Sequence, residues 1–291
     1  MKPRKPNSYH QDIQRQPLKK FQQKSPYQNN SQTKTTSWSG VTEWYDDYLK
    51  DEDNYQHKVI VPNLLRLLNI KNSDHLLDLG CGQGFFIEKI LEDYPQVQID
   101  GIDLADKLLK IAADKFSLNK NIKLVHADAS NLTYLKDKSI NKVYSVLALQ
   151  NMNDVDAVMK EIGRVLKNNG RCLFVINHPS FRIPKESDWK FDSTLHKQGR
   201  VIFNYMSDKK YVIDMNPGRR AMGEKTEETI SFHHPLQFFS KIFNKHNFAI
   251  SRIEEWISHK KSEEGGRQKA EDDARKEIPM FMCLELVLIA K

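Results

Sequence analysis

Three aspartates and three glycines carry most of the chemistry legible in this chain. The segment Leu76-Leu77-Asp78-Leu79-Gly80-Cys81-Gly82-Gln83-Gly84-Phe85-Phe86 sets an acid two residues before a Gly-x-Gly-x-Gly run. Glycines at that spacing let a strand turn sharply into a helix and let a ligand approach the backbone. The dinucleotide fingerprint is Gly-x-Gly-x-x-Gly instead, and an anionic Asp78 suits a cationic ligand group better than a pyrophosphate. Asp103 follows 25 residues after Asp78, in Gly101-Ile102-Asp103-Leu104, where a carboxylate can accept both ribose hydroxyls of a nucleoside. Asp128 lies another 25 residues on, in His126-Ala127-Asp128-Ala129, placed to accept from an adenine amino group. Each acid alone reads as a helix cap or a turn residue. Three of them at consecutive strand ends beside a glycine loop read as a nucleoside site.

Such a site needs strands to carry it. From Asp74 onward short apolar runs, His75–Leu79, Val97–Ile102, Ile122–His126, Lys142–Leu149 and Arg171–Asn177, alternate with amphipathic helices. Near-continuous apolar runs suit parallel strands covered on both faces. The clearest helix spans Asp154–Lys167, with Val155, Val158, Met159, Ile162, Val165 and Leu166 in one stripe and Gly170 as a stop. Two helices, 41–49 and 55–69, precede the first strand, Pro62 limiting the first turn of the second. The expected architecture is α/β: a Rossmann-like, doubly wound sheet.

About 55 residues then interrupt the alternation, from 178 to 234. Residues 178–198 read as irregular and polar, and Arg200–Met206 and Lys210–Met215 as a hairpin about Ser207-Asp208-Lys209. A helix at Pro235–His246 and strands at Ala249–Ile257 and Met282–Ile289 complete the chain, separated by the charged segment 258–277. Within it Lys260–Arg267 reads as a mobile loop able to cover the site. So long an insertion is more often functional than idle.

The net charge of +7 is not spread over this body. Residues 1–36 hold eight of the 45 basic residues and one of the 38 acidic ones, leaving 37 of each in residues 37–291. The first segment is rich in Gln, Asn, Ser, Lys and Pro and reads as a disordered basic tail. It is either a solvated extension or a weak electrostatic arm for RNA. It lacks the apolar region of a signal peptide and the pattern of a transit peptide. No stretch is long and apolar enough for a membrane span. Cys81, Cys172 and Cys283, odd in number and without metal-ligand spacing, read as reduced thiols of a cytoplasmic protein, and no metal site is expected.

From about Trp44 to the end, the sequence resembles the class I methyltransferases, in particular the small-molecule group similar to the quinone-pathway C-methyltransferases. The resemblance implies S-adenosylmethionine as cofactor and a seven-stranded sheet whose last strand, Met282–Ile289, is antiparallel. Asp78 and the loop Gly80, Cys81, Gly82, Gly84 would then hold the methionine moiety. Asp103, with Leu104 beside it, would bind the ribose, and Asp128 with Ala129 the adenine. Leu147 would line the cofactor beneath the transferred methyl, and Tyr45 would cover it. Ala148-Leu149-Gln150-Asn151 stands where many amino-group nucleic-acid methyltransferases carry Asn-Pro-Pro-Tyr.

Methyl transfer from a sulfonium is an in-line displacement governed by alignment, and a base is needed only for a protonated nucleophile. His178 is the first candidate for a base or a substrate hydrogen bond, and His233 the second, with His234 beside it; each reads equally as a cap or surface residue. Arg182, Arg219 and Arg220 could pair with a substrate anion, and Trp189, Tyr205 and Trp256 could wall an apolar pocket. The expected function is methyl transfer to a small or medium-sized metabolite at oxygen, nitrogen or carbon. The alternatives are RNA methylation aided by the basic tail and cofactor binding without catalysis.

Overall fold

The computed structural model describes residues 37–215, 222–223 and 226–289, all within the unit Thr35–Lys291. The tail 1–36 and the candidate anion-pairing Arg219 and Arg220 fall outside the described residues. Helix α1 (Thr42–Lys50) leads to a π turn at Gln56–Ile60 and then to α2 (Val61–Leu68). One helix over 55–69 is therefore split. Pro62 has no N–H and its ring crowds the turn before it, and the widened turn lies there.

Strand and helix then alternate through β1 (His75–Leu79), α3 (Phe85–Asp93), β2 (Gln98–Asp103), α4 (Asp106–Lys115), β3 (Ile122–His126), β4 (Ile140–Val146), α5 (Val155–Val165) and β5 (Leu166–Asn177). Four short strands follow: β6 (Ser187–Asp192), β7 (Lys197–Ile202), β8 (Lys209–Asp214) and β9 (Glu228–His233). Helix α6 (Leu236–Lys245), β10 (Phe248–Trp256), α7 (Gln268–Glu277) and β11 (Phe281–Leu288) complete the order. Seven strands form one sheet in the order β10-β11-β5-β4-β1-β2-β3. The last, β11, runs antiparallel to both β5 and β10. The doubly wound sheet with an antiparallel final strand is thus the one predicted.

Period-two alternation divides the strand residues between two apolar layers. Leu77, Val143, Phe174 and Leu284 pack with α5 and α6; Leu76, Tyr144, Leu173 and Cys283 pack with α2 and α3. Helix α5 buries Val155, Val158, Met159, Ile162 and Val165, each worth roughly 1.5–3 kcal/mol of transfer free energy. Asp154 starts it, its carboxylate accepting from the Ala157 N–H at 2.9 Å. The helix stops at Val165, two residues early, and β5 begins at the next residue. Gly170 instead serves a bulge in β5, where the register with β4 shifts. A Cβ there would lie 2.6 Å from the Leu166 side chain.

The inserted strands pair differently from expectation. No hairpin joins Arg200–Met206 to Lys210–Met215: β7 pairs with β6, and β8 with β9, as two separate two-stranded sheets. The polar stretch taken as irregular supplies β6. Its turn is made by Asp192, whose carboxylate accepts from the N–H groups of Thr194 and Leu195, both at 2.9 Å. Across the pair, the Arg200 guanidinium lies 5.0 Å from the Trp189 ring. The charged segment 258–277 contains α7, which packs against β7.

Candidate active site

Parallel pairing sets Asp78 opposite Gly101 and Asp103 opposite His126, so both acids stand at the carboxyl edge of the sheet. Past Leu79 the chain turns through Gly80, Gly82 and Gly84, all left-handed at φ 79°, 53° and 76°. The Gly80 and Cys81 N–H groups donate to the Ile102 carbonyl at 2.9 Å, tying the loop to β2. A Cβ on Gly80 would lie 2.4 Å from that of Ala148, and one on Gly84 2.5 Å from Phe116. At Gly82 nothing comes closer than 3.9 Å. The open side of the loop is therefore at Gly82, where its backbone is free to meet a ligand.

Asp103 is fixed at both oxygens. Oδ2 accepts from the Gly82 N–H at 2.8 Å and Oδ1 from the Ala105 N–H at 2.7 Å. Burial raises its pKa, and the Ala105, Gly82 and Leu104 N–H groups oppose the rise. Each oxygen keeps a lone pair for a hydroxyl donor. Asp78 is buried, and its Oδ2 has no hydrogen-bond partner among the described residues. Burial pushes its pKa up to about 8; Tyr144 lies near enough to oppose this, though outside hydrogen-bonding geometry, and the Asp103 charge adds to it. The Oε1 atom of buried Gln83 is likewise without a partner. Buried acceptors so placed fit a ligand with a cationic donor at one end and a hydroxylated sugar at the other.

The other predicted residues sit around this cluster. Tyr45, on α1, reaches to 4.0 Å from the Cβ position of Gly82 and meets Trp38 edge-on at 6.1 Å. Its phenol pKa is pushed up by burial first, then by Tyr48 and the charges of Asp103 and Asp78. Cys81 is buried. Leu104 gives its carbonyl to the His126 ring at 3.1 Å. Asp128 stands two residues beyond β3, Oδ1 accepting from the Ser130 N–H at 2.9 Å and hydroxyl at 2.8 Å, and Ala129 is buried beside it. Leu147, the residue after β4, is left-handed, φ 54°, which costs a branched residue roughly 1–3 kcal/mol. Its N–H donates to the Val175 carbonyl at 2.7 Å and its carbonyl accepts from Asn151 Nδ2 at 3.1 Å. Ala148, the next residue, is the neighbour of Gly80.

The candidate histidines are each engaged by other groups. His178 Nε2 is 2.7 Å from Glu255 Oε1, and Nδ1 accepts from the Ser180 N–H at 3.2 Å. That pattern places the proton on Nε2. Burial lowers the His178 pKa, with Glu255 opposing. Buried His233 sets Nε2 2.8 Å from the Tyr205 carbonyl, and His234 stacks on Phe238 at 3.7 Å. Among the described residues no hydrogen bond or ring contact joins His178 to His233. Of the aromatics, Trp256 belongs to the core and Tyr205 accepts the Leu236 N–H at the start of α6, while Trp189 lines a cavity.

The sheet β8–β9 lies against the 3₁₀ turns Ser37–Gly40 and Leu149–Asn151, the second of them following Leu147. Ser39 Oγ donates to Asp106 at the start of α4 at 2.5 Å. Sequence reasoning missed Gln83, Tyr144, Arg200 and Arg275. The last two carry no local motif and meet only because β7 and α7 pack together. Among the described residues no group of three or more His, Cys, Asp or Glu could hold a metal ion, and no helix is long and apolar enough to cross a membrane.

Residues 77–174 match the family model described as a methyltransferase domain. A demethylmenaquinone methyltransferase of Staphylococcus aureus (strain JH9) is 31% identical over 119 residues, 40% of this chain and 49% of that protein. The chain thus spans about half the length of the curated relatives it matches. An S-adenosylmethionine dependent methyltransferase from Mesorhizobium loti shares the fold with a TM-score of 0.61 at 22% identity, over 81% of this chain and 99% of that one. The [4+2]-cyclase SpnF shares it with a TM-score of 0.58 at 15% identity, over 89% and 98%. Residues 77–174 are a methyltransferase domain, and the fold around them is that of class I S-adenosylmethionine-dependent methyltransferases.

Proposed function

We propose that this chain transfers a methyl group from S-adenosylmethionine to a small or medium-sized metabolite. The observation that carries the reading is an Asp103 anchored to the open Gly82 together with a buried Asp78 whose Oδ2 has no hydrogen-bond partner among the described residues. Asp103 would receive the two ribose hydroxyls and Asp78 the cationic amino group of the methionine moiety, with Gln83 available to a second donor. Asp128 and Ala129 would meet the adenine, one strand further along. Tyr45 would close over the cofactor, and Leu147 would present apolar surface to the methyl group.

S-adenosylmethionine, when bound, supplies a methyl group whose bond to sulfur breaks as the acceptor's lone pair forms the new one, the sulfur keeping the old bonding pair. What remains for the protein is alignment and exclusion of water. Tyr45 and the β8–β9 sheet serve the second purpose. With its proton held on Nε2 by Glu255, His178 could act as a base only through Nδ1, which requires the Ser180 N–H contact to open. His233, whose Nε2–H is held by the Tyr205 carbonyl, would likewise act through Nδ1. Acceptors that present a free lone pair at neutral pH suit the site best. The three buried, unpaired cysteines support a reducing, cytoplasmic location.

Calorimetric titration with S-adenosylmethionine, followed by a methyl-transfer assay on metabolite fractions, tests the reading. Demethylmenaquinone, which the matched relatives are named for, is one acceptor to include. Absence of cofactor binding by the intact chain would end the proposal. Binding without any methylated product would favour a non-methylating use of the fold.

A further inference from the structure

A cavity of about 210 Å³ opens beyond the carboxyl end of β5. Three arginines line it: Arg182 after β5, Arg200 on β7 and Arg275 on α7. Among the described residues none of the three forms an ion pair, and no carboxylate lines the cavity. Arg200 is positioned by neutral groups, Nε donating to the Phe181 carbonyl at 2.6 Å and a terminal nitrogen to Ser187 Oγ at 3.0 Å. Arg275 Nε donates to Ser262 Oγ at 3.1 Å. The Arg182 guanidinium lies 5.5 Å from the Phe281 ring. Elsewhere in the molecule, Arg66, Arg164, Arg171 and Arg252 are all paired with carboxylates.

Three half-buried guanidiniums line one cavity with no ion pair among them, Asp188 acting on Arg200 only at longer range, and Arg182 and Arg200 repel each other. Burial lowers the pKa of Arg182, with Arg200 adding to the effect, and burial likewise lowers that of Arg200. The remaining walls are flat and apolar, formed by Trp189, Phe181 and Tyr55 among others. Tyr48 joins the cavity to the cofactor cluster: it lies within electrostatic reach of Arg182 and, one turn along α1, of Tyr45, which approaches Gly82. The volume is below the roughly 300–1,000 Å³ of pockets for drug-sized ligands, which limits the occupant to a small molecule.

We propose that this cavity is the acceptor pocket and takes a small acceptor bearing an oxyanion, a carboxylate or a phosphate, on a flat apolar frame. Arg182, Arg200 and Arg275 hold the anion while Trp189, Phe181 and Tyr55 enclose the frame. The assignment rests on the methyl-transfer reading above.

The test titrates the full chain with 4-hydroxybenzoate, phenyl phosphate and the neutral 4-hydroxybenzamide, followed by saturation-transfer NMR. At least one of the two anions is expected to bind tenfold or more tightly than the amide, and which of them does so separates carboxylate from phosphate. Arg182→Met and Arg275→Met should each cut that preference several-fold while leaving S-adenosylmethionine affinity within twofold of the parent, which also reports that the variant is folded. Equal binding of anions and amide, no binding of either anion, or full preference in both variants overturns the pocket. If the parent prefers the anions but does not bind S-adenosylmethionine, the methyl-transfer reading fails instead, and the acceptor assignment falls with it.

Discussion

The Gly82 N–H donates to Asp103 Oδ2 at 2.8 Å, so the backbone that must cradle a ligand is held in place by the carboxylate that must bind it. Loop and acid are one unit. Asp103→Ala removes both a ligand acceptor and the tether of the loop. Losing charge-assisted hydrogen bonds worth about 1.5–3 kcal/mol should weaken S-adenosylmethionine binding by tenfold or more in calorimetry. Unchanged affinity would remove Asp103 from the cofactor site.

Asp78, pushed up to about 8 by burial, makes both stability and binding depend on pH. The folded chain keeps a proton that the unfolded chain releases near pH 4, so this group's contribution lowers stability as pH rises from about 4 to about 8. A cationic ligand group requires the ionised acid, so S-adenosylmethionine affinity should rise between pH 6 and pH 8, by up to about tenfold per unit. Asp78→Asn should flatten that dependence and abolish the accompanying proton release, read as equal binding heats in buffers of different ionisation enthalpy. A slope that survives the substitution assigns the proton elsewhere.

Two glycines of one loop should fail in different ways. Gly80→Ala sets a methyl 2.4 Å from Ala148 at φ 79°. The left-handed penalty and overpacking together come to about 2–4 kcal/mol, visible as a lowered Tm. Gly82→Ala has room for its methyl, and its φ of 53° costs only about 1–2 kcal/mol. Its larger effect should be on cofactor affinity, because the methyl occupies the open side. Equal loss of stability and equal affinity in the two variants would contradict the placement of the ligand.

Deleting residues 1–36 should leave S-adenosylmethionine affinity and turnover on the true acceptor unchanged, since Trp38, Ser39 and Tyr45 remain. Turnover that falls tenfold or more, and does so more at low salt, would instead give the basic segment a role in holding a polyanionic substrate.

The sequence discloses the sheet and the cofactor cluster because both follow local rules. Each strand run and the turn or acid at its end lie within a few residues of one another, and parallel pairing brings the successive strand ends together. The insertion does not behave this way. The alternation of Arg200–Met206 and Lys210–Met215 is real, yet partner choice depended on the Asp192 turn and on Trp189 meeting Arg200, neither of which appears as a hydrophobic pattern. Gly170 read as a helix stop because a strand bulge leaves the same mark in a sequence. Arg275 was invisible for a plainer reason: a residue on a charged helix becomes a pocket wall only through packing across 75 residues of chain from Arg200.

Strand β11 lies between β5 and β10, and β10 pairs with nothing else in the sheet. During synthesis the β5 edge therefore stays uncovered until residues 281–288 have left the ribosome, although β5 itself is finished at 177. The chain must pass through a state with an open apolar sheet edge for more than a hundred residues of elongation. That interval is when self-association competes with folding, and slower growth temperatures or a chaperone present during translation should raise the soluble yield more than any change to the finished protein.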